Sequence, residues 1–239
     1  MLTADARETS EMPQLRAGAP AGATGARAGT FSGTGITRSQ EIEAAARGAR
    51  ALMAAADRRI EDDFVLALLG TGTAFAAVRG EKVQHLGGTA LGGGSFAGIA
   101  RRVERTLSYD DLVAAAARGD RRRADLMVSD AYPEGIGHIG ADMTAAHVAK
   151  ADAPLDDFLA GLLNLHGESI GQIAAGRALV SQLRHVIIAG GFAHGNPSLT
   201  DAIAGMCGLF GVHAEAAPWP GYAGAVGAAL IAAQHTEAS

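Results

Sequence analysis

Three glycine-rich segments, each directly after a stretch that reads as a strand, constrain the fold of this chain more than any other feature. The continuous apolar run 64–69 has the length of a buried strand and ends in Gly70-Thr71-Gly72-Thr73. A second segment (87–95) and a third (190–196) also follow strand-like stretches. Because glycine carries no Cβ, it leaves backbone N–H groups accessible to a charged ligand. Three such segments at strand ends predict a nucleotide-binding α/β protein.

The order of the remaining elements predicts a mixed sheet. Strands at 64–69, 74–78 and 82–86 are close enough in sequence to form an antiparallel meander. Helices and strands then alternate towards the C-terminus, which is typical of an α/β domain. The later elements are a helix or a broken pair of helices at 156–183, a strand at 186–189, a helix after Pro197, a strand at 212–216 and a helix at 221–233.

A helix is also predicted before the meander. It runs from Glu41 to about Ala56, with Ser39 as its expected N-cap. Acidic residues occupy its first turn, where the helix dipole favours negative charge.

Charge and hydropathy argue against several classes of function. The net charge of −5 does not fit a nucleic-acid surface, which needs clustered Lys and Arg. The apolar stretch 222–233 is too short and too interrupted by glycine to span a bilayer, and the first residues lack the apolar stretch of a secretory signal. Cys207 is the only cysteine, which fits a reducing compartment. We expect a soluble, cytoplasmic protein with no nucleic-acid and no membrane partner.

The glycine-rich segments do not match the two commonest phosphate-binding motifs. No Lys follows Gly92 or Gly93, as a P-loop would require. The Gly70-Thr71-Gly72 segment lacks the third glycine of a dinucleotide fingerprint and leads into a strand rather than a helix. A P-loop NTPase and a Rossmann dehydrogenase are therefore disfavoured. Each segment taken singly also fits an ordinary tight turn.

The order and spacing of several sequence blocks resemble those of the fumble-type, or type II, pantothenate kinases. The blocks span about 64–230. They are Leu69–Thr73, Gly87–Ser95, Gly119-Asp120 with Asp125–Tyr132, Asp142–Ala146, Asn164–Ile173, Gly190–Pro197 and Gly221–Ala228. The resemblance implies the actin-like ATPase superfold, an α/β fold in which two ribonuclease-H-like lobes, each a mixed sheet with flanking helices, enclose ATP.

The same resemblance implies an activity. Members of this family transfer phosphate from ATP, with Mg²⁺, to the primary hydroxyl of pantothenate. The product is 4'-phosphopantothenate, and the reaction is the first step of coenzyme A biosynthesis. The resemblance also implies a homodimer and a feedback ligand, which would be coenzyme A or an acyl-CoA.

Site residues follow from the resemblance position by position. Glu41 corresponds to the family's catalytic base, which would accept the proton of the substrate hydroxyl; the alternative is an ordinary first-turn Glu stabilised by the helix dipole. The metal ligands are unknown. The implied ATP-binding residues are Gly70, Thr71, Gly72, Thr73, Gly92, Gly93, Gly94, Gly190, Gly191 and Gly224. The implied substrate-binding residues are Thr71, His85, Gly87 and Thr89.

Two positions depart from the family pattern. The family begins with a strand and an Asp-x-Gly-Gly-Thr loop that holds phosphate and Mg²⁺, and residues 1–40 contain no such loop. We therefore interpret 1–37 as a Gly/Ala-rich remnant of the first lobe and 38–239 as the kinase domain, with the second lobe complete and the first largely missing. His85 stands where the family commonly has Arg, and an imidazole cannot make the two-pronged contact of a guanidinium.

These departures leave two hypotheses open. The chain is an active ATP-dependent pantothenate kinase, or it is a non-catalytic pseudokinase or regulatory subunit that binds a nucleotide or an acyl-CoA. A third hypothesis, a sugar kinase or activator ATPase of the same superfold, is disfavoured by the block Gly87–Ser95.

Overall fold

The computed structural model describes residues 21–25, 28–30, 36–58, 63–137 and 139–237. The helices of this part of the chain are α1 (Glu41–Ala55), α2 (Gly93–Val103), α3 (Tyr109–Arg118), α4 (Leu155–Val180), α5 (Pro197–Leu209) and α6 (Ala223–Glu237). The strands are β1 (Ala21–Ala23), β2 (Ile36–Arg38), β3 (Asp63–Leu69), β4 (Thr73–Arg79), β5 (Lys82–Thr89), β6 (Leu126–Met127), β7 (Thr144–Ala146), β8 (His185–Ala189) and β9 (His213–Ala216).

A mixed five-stranded sheet in the order β5-β4-β3-β8-β9 forms the centre of the fold. Strands β3, β4 and β5 are antiparallel neighbours, whereas β3, β8 and β9 are parallel. The predicted meander and the mixed sheet are therefore confirmed. Leu68 pairs with Ala189, so the carboxyl ends of β3 and β8 lie side by side.

Strand β3 is buried on both faces, which explains its continuous apolar run. Val65, Ala67 and Leu69 point into a cluster formed with α2, α3, α4 and α5. Phe64 and Leu66 point to the other face, where they contact α1 and the start of α6. This alternation follows from the two-residue period of a strand.

Helices α1 and α6 cross in direct backbone contact. A Cβ atom on Gly48 would overlap the carbonyl oxygen of Ala223, and one on Gly227 would overlap that of Ala44. The pair β1–β2 approaches α6 in the same way, since a Cβ on Gly22 would overlap the carbonyl of Ala228. Glycine at these positions therefore determines how closely the helices pack.

Two local expectations need correction. The N-cap of α1 is Gln40 rather than Ser39, and its side chain makes no capping hydrogen bond. The N–H of Ser39 instead donates to the carbonyl of Ala23 in β1, at 3.0 Å. The predicted helix or helix pair at 156–183 is one helix, α4.

The structure also bears on the domain boundary and on membrane-spanning segments. The predicted domain boundary after residue 37 falls within β2, which pairs in parallel with β1. None of the helices in the described ranges combines the length and the apolar character needed to cross a membrane.

Candidate active site

The three glycine-rich loops meet at one edge of the central sheet. The N–H of Gly93 donates to the carbonyl of Gly70 at 2.9 Å, and that of Gly94 to the carbonyl of Thr71 at 3.0 Å. The third loop joins them because the N–H of Phe192 donates to the carbonyl of Leu69 at 3.0 Å. The loops thus form one continuous backbone surface, although more than a hundred residues separate the first from the last.

Close backbone approach explains why these loops need glycine. Gly190 has φ +106°, and a Cβ there would overlap the carbonyl of Leu69. A Cβ on Gly92 would lie 2.7 Å from the Cα of Gly72. By contrast, Gly191 has no atom within 4 Å of the position a Cβ would take, so it borders open space.

Gly224 lies in the first turn of α6 rather than within a loop. Its Cβ position is 3.4 Å from the Cγ2 atom of Thr24. The turn before α6 reaches the third loop, since the N–H of Gly190 donates to the carbonyl of Pro220 at 2.8 Å. Gly224 therefore follows a turn that contacts the third loop, but Gly224 itself packs against the end of the N-terminal strand pair.

The threonines of this edge have different roles. Thr73 is buried, and its hydroxyl donates to the carbonyl of Leu91 at 2.8 Å, which ties the first loop to the second. The hydroxyl of Thr89 accepts from the N–H of Leu91 at 3.3 Å. Thr71 is exposed at the tip of the first loop. Of the three, Thr71 presents its side chain most openly to a ligand.

Helix α2 points its N-terminus at this edge, since it begins at Gly93 within the second loop. The first N–H groups of a helix and its dipole favour a bound anion. The N–H of Gly92 already donates to the hydroxyl oxygen of Ser95, at 3.0 Å. The helix dipole therefore makes the loop edge suitable for phosphate.

A buried histidine that was not predicted from the sequence as a site residue lies behind the second loop. His166 of α4 places Nδ1 2.8 Å from the carbonyl of Leu162 and Nε2 2.9 Å from the hydroxyl oxygen of Ser95. A carbonyl only accepts hydrogen bonds, so Nδ1 carries the proton and Nε2 accepts the hydroxyl hydrogen of Ser95. Burial lowers the pKa of His166, which keeps the ring neutral.

The rings around His166 fix its orientation. Phe96 and Phe192 each pack edge to face against the imidazole, with centroid distances of 6.0 Å. The one available signal in the sequence was a lone polar ring in the apolar stretch of α4, which is more often a core residue than a functional one.

Glu41 is the exposed first residue of α1. The guanidinium of Arg50 lies 5.3 Å from the ring centre of Phe64, near the start of β3. Arg47, in the second turn of α1, also reaches that end of the sheet, where it lies 3.5 Å from Glu81 in the turn between β4 and β5.

His85 and Gly87 lie on the outer strand β5. His85 is exposed, pairs with Ala76, and shares a strand face with Val83, which packs against the α1 cluster. Gly87 has φ +93°, and a Cβ there would lie 3.5 Å from the Nη2 atom of Arg177. Arg177 belongs to α4, so a guanidinium does reach β5, but from the sheet face opposite His85.

A cavity of about 670 Å³ lies on the far side of α4 from the glycine loops. His166 and Glu168 are two residues apart, about 200° around a helix, so they face opposite directions. The polar wall of the cavity contains Arg121, Thr144, Asn164 and Glu168. Its apolar wall contains Ala202, Met206 and Leu209 of α5.

A cluster of charged side chains extends from Glu168 of the cavity wall into the protein. The imidazole of His147 lies between two carboxylates, with Nδ1 3.8 Å from Asp125 and Nε2 3.3 Å from Glu168. Asp125 is fully buried and accepts from the N–H of Val148 at 2.8 Å. Asp125 and Glu168 stabilise the protonated ring and raise the pKa of His147 to about 9.

Glu168 stays ionised in spite of its surroundings. Burial acts to raise its pKa, but hydrogen bonds from His147, Asn164 and Thr144 outweigh burial and place the pKa below the usual value. The amide of Asn164 and the hydroxyl of Thr144 each donate to Oε1 at 2.9 Å. This cluster is a second concentration of polar groups, separated from the glycine loops by the thickness of α4.

Comparison with known proteins gives three relevant matches. A family model described as Fumble matches residues 62–231. A type II pantothenate kinase of Oceanobacillus iheyensis is 29% identical over 194 residues, which are 80% of this chain and 72% of that protein. A type II pantothenate kinase of Staphylococcus epidermidis is 29% identical over 197 residues, 80% of this chain and 74% of that protein.

Among solved structures, the chain is similar to the activator of the 2-hydroxyisocaproyl-CoA dehydratase from Clostridium difficile with bound ADPNP. The TM-score is 0.59 at 15% sequence identity, and the match covers 90% of this chain and 75% of that chain. At this identity the likeness shows the fold alone. That fold is the actin-like ATPase fold expected from the sequence.

Proposed function

Since the chain belongs to the Fumble family, the type II pantothenate kinases, we propose that it phosphorylates pantothenate with ATP to give 4'-phosphopantothenate. This reaction is the first step of coenzyme A biosynthesis. The observation that carries the proposal is the meeting of the three glycine-rich loops at one sheet edge, joined by backbone hydrogen bonds.

ATP would bind along this edge. We propose that the phosphates lie against Gly70, Thr71 and Gly72 and against the segment Gly92–Gly94, where the absence of side chains allows close approach and the α2 dipole favours anions. The adenosine would lie at Gly190 and Gly191, with Gly224 nearby. Thr73, whose hydroxyl is bonded to Leu91, would act by holding the first loop in place.

Glu41 would accept the proton that the reaction releases. The primary hydroxyl oxygen of pantothenate attacks the γ-phosphorus of ATP, the bond to the β-phosphate oxygen breaks, and ADP leaves. The hydroxyl proton passes to the carboxylate of Glu41. Its exposure at the start of α1 leaves the carboxylate accessible to a substrate, which supports this role. Thr71, His85, Gly87 and Thr89 would line the pantothenate side.

The described residues at the loop edge do not form a set of carboxylates for Mg²⁺. Within the described ranges, the only group of three converging His, Cys, Asp or Glu ligands is on β8 and β9. Mg²⁺ commonly keeps several waters and binds through substrate phosphates with one or two carboxylates. We therefore propose that it enters as a complex with ATP.

Assembly, regulation and location extend the proposal. Leu209 and Phe210 expose 60% and 42% of their surface at the end of α5, and we propose that this apolar patch forms a homodimer contact. Coenzyme A or an acyl-CoA would act as feedback ligand, and the protein would work in the cytoplasm.

The kinase domain would comprise 38–239, with 1–37 as a remnant of the first lobe.

The test is direct. Purified full-length protein is incubated with ATP, Mg²⁺ and radiolabelled pantothenate, and labelled phosphopantothenate and ADP are quantified. We expect the two products in equal amounts. Binding of an ATP analogue without any product would contradict the proposal and favour the non-catalytic alternative.

A further inference from the structure

Three potential metal ligands converge at the edge of the sheet opposite the glycine loops. They are His185 at the start of β8, and His213 and Glu215 on β9. We propose that these three side chains bind one divalent transition-metal ion of the zinc type. The proposal concerns the outer strand of the sheet and does not depend on the proposed function.

The strand register brings the three side chains together. Strands β8 and β9 are parallel, and His185 pairs directly with His213. Glu215 follows His213 by two residues, so it lies on the same face of β9. The glycine loops lie at the other end of β8, which spans about 13 Å or more over its length. An ion here would therefore be remote from phosphoryl transfer.

The distances fit a single ion. The Oε1 atom of Glu215 lies 3.1 Å from Nε2 of His185 and 3.6 Å from Nε2 of His213. Two ligands bound tetrahedrally at the usual zinc distances lie roughly 3.3 Å apart. All three ligand atoms are within 4.8 Å of one another, so only the two imidazole nitrogens need to move closer to each other. The side chain of His213 is 69% exposed and can rotate to do so.

The donor atoms define the class of metal. Imidazole nitrogen with one carboxylate oxygen suits Zn²⁺, Co²⁺ or Ni²⁺, whereas Mg²⁺ and Ca²⁺ prefer oxygen ligands throughout. Three protein ligands leave a fourth position for water.

Arg58 orients the carboxylate of the proposed site. Its Nη1 atom lies 3.5 Å from Oε2 of Glu215 and donates to the carbonyl of Ala216 at 3.2 Å. Because Arg58 engages Oε2, Oε1 is the oxygen turned towards the two imidazoles. A fixed carboxylate of this kind strengthens a metal site, although the positive charge of Arg58 lowers its affinity.

The proposed role is structural. Strand β9 is the outer strand of the sheet and pairs only with β8 among the described strands. An ion shared by the two strands would oppose separation of β9, and binding to the folded state raises stability by linkage.

The experiment uses tag-free, full-length protein after removal of metals with EDTA. Co²⁺ is titrated while its visible absorption is recorded, and Zn²⁺ is then added as a competitor. We expect one saturable site per chain, displacement of Co²⁺ by Zn²⁺, and a higher melting temperature with Zn²⁺. His213→Ala should weaken Co²⁺ binding at least tenfold.

Two further variants make the result specific. His235→Ala removes an exposed histidine at the end of α6 and should bind Co²⁺ like the wild type. Glu215→Gln keeps the shape of the side chain and should weaken binding as His213→Ala does. The proposal is overturned if no saturable binding occurs, or if His213→Ala binds as tightly as the wild type.

Discussion

The hydroxyl of Ser95 donates to Nε2 of His166 across 2.9 Å, joining the first turn of α2 to the middle of α4. Since the other ring nitrogen donates to Leu162, the imidazole is satisfied on both sides. The N–H of Gly92 also uses the Ser95 oxygen as its acceptor. One hydroxyl group thus holds the second glycine loop against the core.

Replacement of that hydroxyl should loosen the loop. Ser95→Ala leaves a buried imidazole nitrogen without a donor, and we expect a loss of about 1–3 kcal/mol in the free energy of unfolding. Denaturant titration measures this loss, and ATP binding should weaken in parallel. Ser95→Thr retains the hydroxyl and serves as control. A fully stable Ser95→Ala would show that the contact does not hold the loop.

Glu41→Gln tests the catalytic base. Loss of a general base typically costs 10²–10⁴-fold in rate, so we expect a fall in kcat of about that size with unchanged affinity for an ATP analogue. Glu43→Gln is the matched control, because Glu43 lies in the same turn and pairs with Arg47 on the helix surface. An unaltered kcat in Glu41→Gln would remove Glu41 from this role.

Gly190 and Gly191 form a natural pair for testing the third loop. Gly190→Ala combines a positive φ with overlap of the Leu69 carbonyl, and the strained backbone alone costs about 1–3 kcal/mol. We expect lower stability and weaker ATP binding, measured by thermal unfolding and by calorimetry. Gly191→Ala meets open space and should preserve stability. Equal effects of the two variants would contradict the steric argument.

The stability of the fold should depend on the charge of His147. Its pKa is raised to about 9 in the folded protein, so its stabilising contribution is complete below the unfolded value near 6.5 and is lost as pH rises through 9. A shift of this size corresponds to at most about 3 kcal/mol. We expect about 1–2 kcal/mol, since 23% of the side chain is exposed.

Measurement of the unfolding free energy between pH 6 and pH 10 checks this dependence. The difference between the wild type and His147→Gln should be largest near pH 6 and shrink towards pH 10. A difference that stays constant over this range would show that the ring is not charged in the folded state.

Strands and loops were predictable because their signals are local. The apolar run 64–69 is buried on both faces, and the first and third glycine loops directly follow β3 and β8, whereas Gly87 and Gly88 of the second segment still lie within β5. Helix α4 was harder, since the stretch 156–183 fitted either one helix or a broken pair and contains Gly167 and Gly171. The structure gives the reason for these glycines: a Cβ on Gly167 would lie 2.5 Å from the Cβ of Ala202. They allow α5 to approach an unbroken helix.

Contacts between distant positions could not be predicted. Ser95 and His166 are 71 residues apart and meet only when α2 and α4 pack together. His185 and His213 meet only through the register of β8 and β9. A basic run such as 121–123 usually indicates a solvated turn, yet Arg121 donates to the hydroxyl of Thr144 at the cavity wall, at 2.9 Å.

The crossing of α1 and α6 affects the rate of the proposed reaction, although neither Gly48 nor Gly227 carries a reactive group. Because the two helices touch backbone to backbone, a single added methyl group would displace α1 and carry Glu41 with it. A displacement of about 1 Å can slow an enzyme roughly 10²-fold. The rate of proton removal would then depend on two glycine positions that touch neither the substrate nor ATP.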